Sequence, residues 1–239
     1  MNQVWVIAKR ELNAYFDSLI AYIVIIAFLG ISGFFTWLIG NGDIFFRKQA
    51  DLSVFFSVAR WTLFFFIPAI TMRQLAEEKK SGTIELLLTK SISDRQLVLG
   101  KFFSCLITVA IALLFTIPYY ISVARMGNID HGATISGYFA LLLMSAAYIS
   151  IGLFASSLTT NQIVAFLLAL FIGIFFHLLF DIMASGTNGF LAQLFDTLSL
   201  NNHFDSISRG VLDTKDIIYF LSVIFLGLLL AELNIKNRT

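Results

Sequence analysis

The sequence predicts an all-α, polytopic membrane protein with six transmembrane helices. Of the 239 residues, 58% are hydrophobic and only 13% are charged, and the mean hydropathy is +0.86. Soluble domains carry about 25% charged residues, so water is not the main solvent of this chain. Because a helix needs about 20 apolar residues to cross the hydrocarbon layer, six crossings take about half of the chain. We therefore expect residues 1–239 to form a single transmembrane domain.

The uncharged runs define the spans. The longest run, 50 residues between Asp130 and Asp181, has room for two spans separated by a polar turn at residues 156–162. The second span must include Arg60, whose long side chain can reach the interface from a helix end. We place the spans at residues 18–40, 56–76, 102–124, 134–156, 162–183 and 216–233.

The positions of lysine and arginine predict the orientation. Ten of these residues flank the side that carries the two termini and the loop between spans two and three, and five flank the other side. Cytoplasmic loops are the ones enriched in Lys and Arg. We therefore expect both termini in the cytoplasm, which agrees with an even number of spans.

Residues 2–16, ahead of the first span, have an amphipathic helical pattern. Trp5, Leu12 and Tyr15 recur at helical spacing, and Lys9 and Arg10 lie on the opposite face. The pattern predicts a helix lying in the cytoplasmic headgroup region. The alternative is that these residues simply begin a long first transmembrane helix.

Several function classes leave no signal in the sequence. A net charge of +1 argues against nucleic acid as a partner. The chain has no phosphate-binding G-x-x-x-x-G-K-[ST] loop, and its three histidines and single Cys105 have no metal-binding spacing. We therefore expect no enzymatic activity, and no cofactor or metal bound by this chain.

One polar pair falls within a predicted span. His177 and Asp181 are one helical turn apart on span five, where they could form an intramembrane site that handles protons or substrate. However, Asp181 falls near the outer end of that span. The alternative, an ordinary interfacial pair, therefore remains open.

The loop between spans two and three is the most informative segment. Gly82 should interrupt the helix and Thr83 could cap the next one, whose leucines are too apolar to lie bare in the cytosol. A short apolar helix with a rim of charged residues is typical of a docking element. The rim would consist of Glu77, Glu78, Lys79, Lys80 and Glu85. The alternative is a solvated, positively charged loop.

Two segments resemble a known family. Residues 76–93, AEEKKSGTIELLLTKSIS, are similar to the E-E-x-x-x-G-T-x-E-x-L motif of ABC-2 type permeases. Residues 203–220 resemble a second pattern, H-F-x-x-x-x-R-G-V-x-D-x-x-D-x-x-Y-F, of the subgroup that includes the permeases of gliding motility and of nitrous-oxide-reductase maturation, the first being the more similar. This outer motif falls on His203, Phe204, Arg209, Gly210, Asp213 and Asp216. Ser91 departs from the family, which commonly has proline there to stop the docking helix.

The resemblance implies a permease subunit of an ATP-driven exporter in a bacterial inner membrane. A separate cytoplasmic ATPase would bind ATP and Mg²⁺, a second permease subunit would pair with this one among the membrane lipids, and a companion membrane subunit with an extracytoplasmic domain could join them. The residues that would couple to the ATPase are Glu77, Glu78, Gly82, Thr83, Glu85, Leu86 and Leu88. Two alternatives remain. One is a non-transporting scaffold for an envelope machine, and the other is a membrane enzyme or ion channel. An enzyme or channel would need more ionisable residues within the spans.

Overall fold

The computed structural model describes residues 3–38, 51–83 and 92–236, and the regular structure of these residues is entirely helical. Its helices are α1 Gln3–Asp17, α2 Leu19–Trp37, α3 Ser53–Lys80, α4 Asp94–Leu114, α5 Ile117–Met126, α6 His131–Leu158, α7 Gln162–Ile174, α8 Phe180–Gly186, α9 Phe190–Leu198, α10 Leu200–Ser208 and α11 Thr214–Lys236. Five helical stretches are long and apolar enough to span a membrane, and the bent pair of α1 and α2 would make six. The fold is therefore an all-helical one with several candidate spans, as the sequence predicts.

The chain bends sharply between the first two helices. The axes of Gln3–Asp17 and Ala21–Trp37 differ by 73°. At the bend, Ser18 leaves the helical conformation and its hydroxyl donates to the carbonyl of Tyr15 at 2.9 Å. The helix predicted at residues 2–16 is thus present as α1, while its location in the headgroup region stays a prediction.

Helix α6 lies at the centre of the bundle. It packs against α3 and α11, and three glycines bring the backbones together. A Cβ atom at Gly152 would lie 2.1 Å from Oγ1 of Thr71, and one at Gly137 would lie 2.5 Å from the ring of Phe56. Gly227 of α11 meets Ser150 in the same way, at 2.6 Å. Small residues permit this close approach, which membrane helices use because lipid provides no hydrophobic force between them.

The two ends of the bundle are fixed by polar contacts. At the end where α3 is followed by residues 81–93, which we call the basal end, Lys79 and Asn234 both donate to the carbonyl of Ser157. At the opposite, distal end, Arg60 Nη1 lies 2.9 Å from Asp205 Oδ1. Because Lys79, Ser157 and Asn234 lie near the C-terminal ends of α3, α6 and α11, these three helices run in the same direction, from the distal to the basal end.

Both prolines lie within helical segments, with different effects. Pro68 is inside α3, which continues past it, and Thr71 donates to the carbonyl of Ile67 at 2.9 Å. Pro118 lies in the first turn of α5, directly after α4 has ended at Leu114. A first-turn proline costs no hydrogen bond because its missing N–H would have had no partner in the helix.

The helical stretch Gln162–Gly186 contains a π-helical turn, Phe175–Leu179, between α7 and α8. Such turns insert one residue into an α-helix and are frequent at functional sites. Beyond α8, the chain forms the two short helices α9 and α10 at the distal end.

The close approach at Gly152 leads to a test. We expect Gly152→Ala to destabilise the bundle by roughly 1–3 kcal/mol, because the added methyl group would overlap the buried Thr71 side chain. Gly30→Ala is the matched control, since no atom lies within 4 Å of a Cβ at Gly30. Thermal unfolding in detergent micelles measures both variants. Equal unfolding temperatures for the two variants would show that the close contact at Gly152 does not contribute to stability.

Candidate functional site

The basal end of α3 is shaped by the motif residues. The N–H of Ser81 donates to the carbonyl of Glu77 at 2.9 Å, and Gly82 adopts φ = +70°. Glycine is the usual residue at a helix end in this left-handed conformation because it has no Cβ to clash. Thr83 follows, with its hydroxyl 2.9 Å from that of Ser81. Gly82 therefore ends the helix, as the sequence predicts.

The start of α4 is fixed by a capping box. The N–H of Gln96 donates to Oγ of Ser93 at 3.3 Å, and the N–H of Ser93 donates to Oε1 of Gln96 at 3.1 Å. Two free donors at the helix start are thereby satisfied. The predicted docking residues Glu85, Leu86 and Leu88, together with Ser91, lie outside the described residues.

The two motif glutamates face different ways. Glu77 is exposed, with 49% of its side chain accessible, and accepts from Nε of Arg73 at 3.1 Å. The side chain of Glu78 is only 17% exposed and faces α1 and α4. Adjacent residues of a helix lie about 100° apart, so the packed side of α3 takes one of them and leaves the other outside. The structure therefore places Glu78 inside the protein and not on an exposed rim.

Glu78 belongs to a group of four charged side chains at the basal end, which we call the ionic cluster: Arg10, Glu11, Glu78 and Lys101. Lys101 Nζ lies 2.8 Å from Glu78 Oε1 and 3.6 Å from Glu11 Oε1. Arg10 bonds to Glu11 and lies 3.4 Å from Glu78. The Lys101 side chain is 1% exposed. A buried ammonium needs such carboxylate partners because burial removes its hydration.

The buried side chain of Tyr15 makes a second set of polar contacts beside the ionic cluster. The hydroxyl of Tyr15 donates to the carbonyl of Ile70 at 2.8 Å and accepts from Nε2 of Gln74. Cys105 is buried, with Sγ 3.6 Å from the same hydroxyl. A cleft of about 240 Å³ opens beside these groups. Its lining residues are Glu11, Ala14, Tyr15, Ser18, Arg73, Gln74, Glu77, Glu78 and Lys101.

The ionic cluster is not among the sites predicted from the sequence, although α1 carries a signal for it. Ile7, Ala8 and Tyr15 form the buried stripe of α1, and Glu11 lies on the same stripe by helical spacing. A carboxylate on an otherwise apolar stripe predicts a buried cation opposite it. Lys101 is one of the ten lysines and arginines that predict the orientation, and its position beside an uncharged run does not by itself indicate burial.

The outer motif forms a packed corner at the distal end. His203 Nδ1 lies 2.6 Å from Asp216 Oδ1, and its Nε2 lies 3.1 Å from the carbonyl oxygen of Thr197. The ring of Tyr219 stacks on the histidine, with centroids 3.9 Å apart. Because both side chains of the His203–Asp216 pair are at most 5% exposed, the pair joins α10 to α11 inside the protein.

The other motif residues shape the same corner. Phe204 is buried, and the guanidinium of Arg60 lies 5.2 Å from the centroid of its ring. Gly210 adopts φ = +93° after α10, and Oδ1 of Asp213 accepts from the N–H of Lys215 at 3.0 Å. Arg209 is exposed. The spacing of the motif is thus that of a helix end, a turn and a helix start.

The predicted pair of His177 and Asp181 does not form as a direct hydrogen bond. His177 Nδ1 lies 2.5 Å from the hydroxyl of Tyr148 on α6. Asp181 accepts from the hydroxyl of Ser199 and from Nδ2 of Asn201, the latter at 2.9 Å. Partners from distant elements therefore hold each of the two side chains. Spacing along one helix could not reveal these partners.

In residues 3–38, 51–83 and 92–236, no three His, Cys, Asp or Glu side chains lie close enough together to hold a metal ion. The charges of the ionic cluster are balanced, two positive and two negative. This arrangement positions helices relative to one another.

The buried pair at the distal end is testable. We expect Asp216→Asn to destabilise the protein by about 1–3 kcal/mol, because it replaces the carboxylate that the buried His203 contacts with a weaker, neutral hydrogen-bond partner. Asp213→Asn is the matched control, since Asp213 is exposed and asparagine caps a helix as well as aspartate does. Chemical unfolding in detergent, followed by circular dichroism, measures both. A midpoint for Asp216→Asn equal to that of the control would exclude a stabilising role for the pair.

The sequence was also compared with known proteins. No curated protein matches it. The family model described as ABC-2 family transporter protein matches residues 7–231, which is nearly the whole chain and takes in both motif segments. On this match, the chain belongs to the ABC-2 transporter family, whose members are membrane components of transport systems.

Proposed function

We propose that this chain is the permease subunit of an ATP-driven exporter and that residues 81–93 receive a separate ATPase subunit. The observation that carries the proposal is the family match over residues 7–231. Permeases of this family generally work with a cytoplasmic ATPase. The ATPase would bind the ATP and Mg²⁺, in keeping with the absence of a phosphate-binding loop motif from this sequence.

The geometry at the basal end supports a docking role. The loop starts at a defined helix end, Gly82, and finishes at a defined helix start, Ser93. Glu77 faces outward beside it. Helix α3 then runs without interruption from Lys80 back to Ser53. A rigid helix of this length transmits a displacement at the loop to the distal end, where Arg60 meets Asp205.

The proposal includes an orientation and a second permease. The basal end would face the cytoplasm of a bacterial inner membrane, which is supported by the ten lysines and arginines on that side against five on the other. The stretches Gln162–Gly186 and Thr214–Lys236 bury only 22% of their most apolar windows within one chain. Their remaining surfaces are available to lipid and to a second, identical or homologous permease.

A finer assignment concerns the subgroup. The likeness of residues 203–220 to the gliding-motility permeases supports a place beside them within the family. Membership of that subgroup would imply a cargo or an envelope machine linked to gliding.

The docking role predicts an effect of charge reversal. We expect Glu77→Lys combined with Glu85→Lys to weaken the association with the ATPase about tenfold or more, because both changes reverse a negative charge on the proposed docking segment. The tagged permease is purified together with its ATPase in detergent, and bound ATPase and ATP turnover are measured. Glu78 is left unchanged, since its side chain faces the ionic cluster.

Arg125→Glu is the control, because it reverses an exposed charge at the distal end. It should leave both quantities unchanged. If the doubly substituted permease retains its ATPase and its ATP turnover, the loop is not the docking element.

The orientation predicts a labelling pattern. In a Cys105→Ser background, Ser81→Cys and Leu212→Cys each place one thiol at an exposed position, at the basal and the distal end respectively. A membrane-impermeant maleimide added to spheroplasts should label Leu212→Cys only, and permeabilisation should expose Ser81→Cys as well. Labelling of Ser81→Cys alone before permeabilisation would reverse the proposed orientation.

A further inference from the structure

The ionic cluster joins three elements that are distant in sequence. Arg10 and Glu11 come from α1, Glu78 from the last turn of α3, and Lys101 from the second turn of α4. Glu78 precedes the loop of residues 81–93 and Lys101 follows it, so their 2.8 Å contact closes the base of this loop. The cluster therefore lies between the proposed docking segment and α1.

The charges of the cluster cannot separate at low cost. Lys101 is 1% exposed and Glu11 and Glu78 are 16% and 17% exposed, so the buried ammonium depends on these two carboxylates, whereas the side chain of Arg10 is 49% exposed. Removing one partner of a buried ion pair is strongly destabilising because the other charge is left uncompensated. Oε2 of Glu78 has no hydrogen-bond partner among the described residues, and the two close contacts of this side chain, to Lys101 and Arg10, are both made by Oε1.

Helix α1 also packs tightly against the start of α4, the helix that follows residues 81–93. A Cβ at Gly100, the residue before Lys101, would lie 2.6 Å from Cγ2 of Ile7. Apolar packing of this kind holds two helices together but allows sliding and rotation. Directed ion pairs fix the register, because Arg10 and Glu11 must stay within reach of Glu78 and Lys101.

We propose that the ionic cluster makes α1 move together with the end of α3 and the start of α4, the two helices that flank residues 81–93. A displacement of residues 81–93 by the ATPase would thereby reach α1. This inference rests on the proposed function, since it assigns a second mobile element to the same coupling path. Glu78 then acts through Lys101 and Arg10, and does not contact the ATPase.

The test separates the link to α1 from the closure of the loop. Arg10→Gln combined with Glu11→Gln removes the ion pairs of α1 with Glu78 and Lys101, and it leaves Lys101 paired with Glu78 and the hydrogen bonds of Tyr15 in place. The substitution is neutral in net charge. Lys9→Gln combined with Asp17→Asn is the matched control, because it removes one positive and one negative charge from exposed positions of the same helix.

The measurement is amide hydrogen exchange of the permease–ATPase complex in lipid nanodiscs, without nucleotide and with ATP and vanadate. In the wild-type complex, nucleotide should change the exchange of both residues 81–93 and residues 3–17. In the Arg10→Gln/Glu11→Gln complex, the change should persist at residues 81–93 and disappear at residues 3–17. ATP turnover should fall about fivefold or more with the ATPase still bound, as expected for the loss of a coupling free energy.

The control variant should behave as the wild type does. Lys101→Arg should keep the nucleotide response at residues 3–17, and Lys101→Met should abolish it. A purely structural role would lower stability but would leave this response in place. An unchanged response at residues 3–17 in the Arg10→Gln/Glu11→Gln complex overturns the positioning role. A wild-type loop that does not respond to nucleotide contradicts the proposed function itself.

Discussion

The close approach of helix backbones on α6 is the constraint on which the rest of the structure depends. In a membrane, apolar side chains gain nothing by leaving lipid for protein, so helices associate through tight packing and polar contacts. At Gly152 and Gly137, side chains of α3 lie directly against the backbone of α6, and Ser150 of α6 lies against Gly227 of α11. Larger residues at these places would push apart the helices that connect the two ends.

Polar side chains then fix what apolar packing leaves free. The Ser156 hydroxyl lies 3.0–3.1 Å from the backbone N–H groups of Leu75 and Ala76 and bonds to the carbonyl of Met72, which sets the register of α3 on α6. At the distal end the buried pair of His203 and Asp216 joins α10 to α11. At the basal end the ionic cluster joins α1 to α3 and α4. The contacts of Ser156, His203 and Lys101 are costly to break because these side chains are buried and would be left without a partner.

This distribution of polar contacts separates the two motifs by role. Apart from the exposed Arg209, the outer motif is accounted for by contacts within the chain: the buried contact of His203 with Asp216, a stacked ring, a turn and a helix cap. The basal motif is accounted for only in part. Gly82 ends α3 and Glu78 is held by Lys101, but Glu77 faces outward and nothing described in this chain requires a second carboxylate there beyond its pair with Arg73. An outward-facing charge at the end of α3 is consistent with a partner at this end.

The sequence by itself determined the all-helical fold class with several candidate spans and the break at Gly82. Charge is excluded from hydrocarbon, so uncharged runs mark candidate spans, and glycine ends a helix through backbone geometry that needs no distant contact. Only the tertiary structure decided which polar groups meet. His177 and Asp181 are one helical turn apart, yet each is held by a side chain from another element. Glu78 faces inward to Lys101, which the sequence shows only as a charge beside an uncharged run. The reason is physical: spacing along a helix fixes which face a side chain shares, whereas its partner depends on the helix packed against that face.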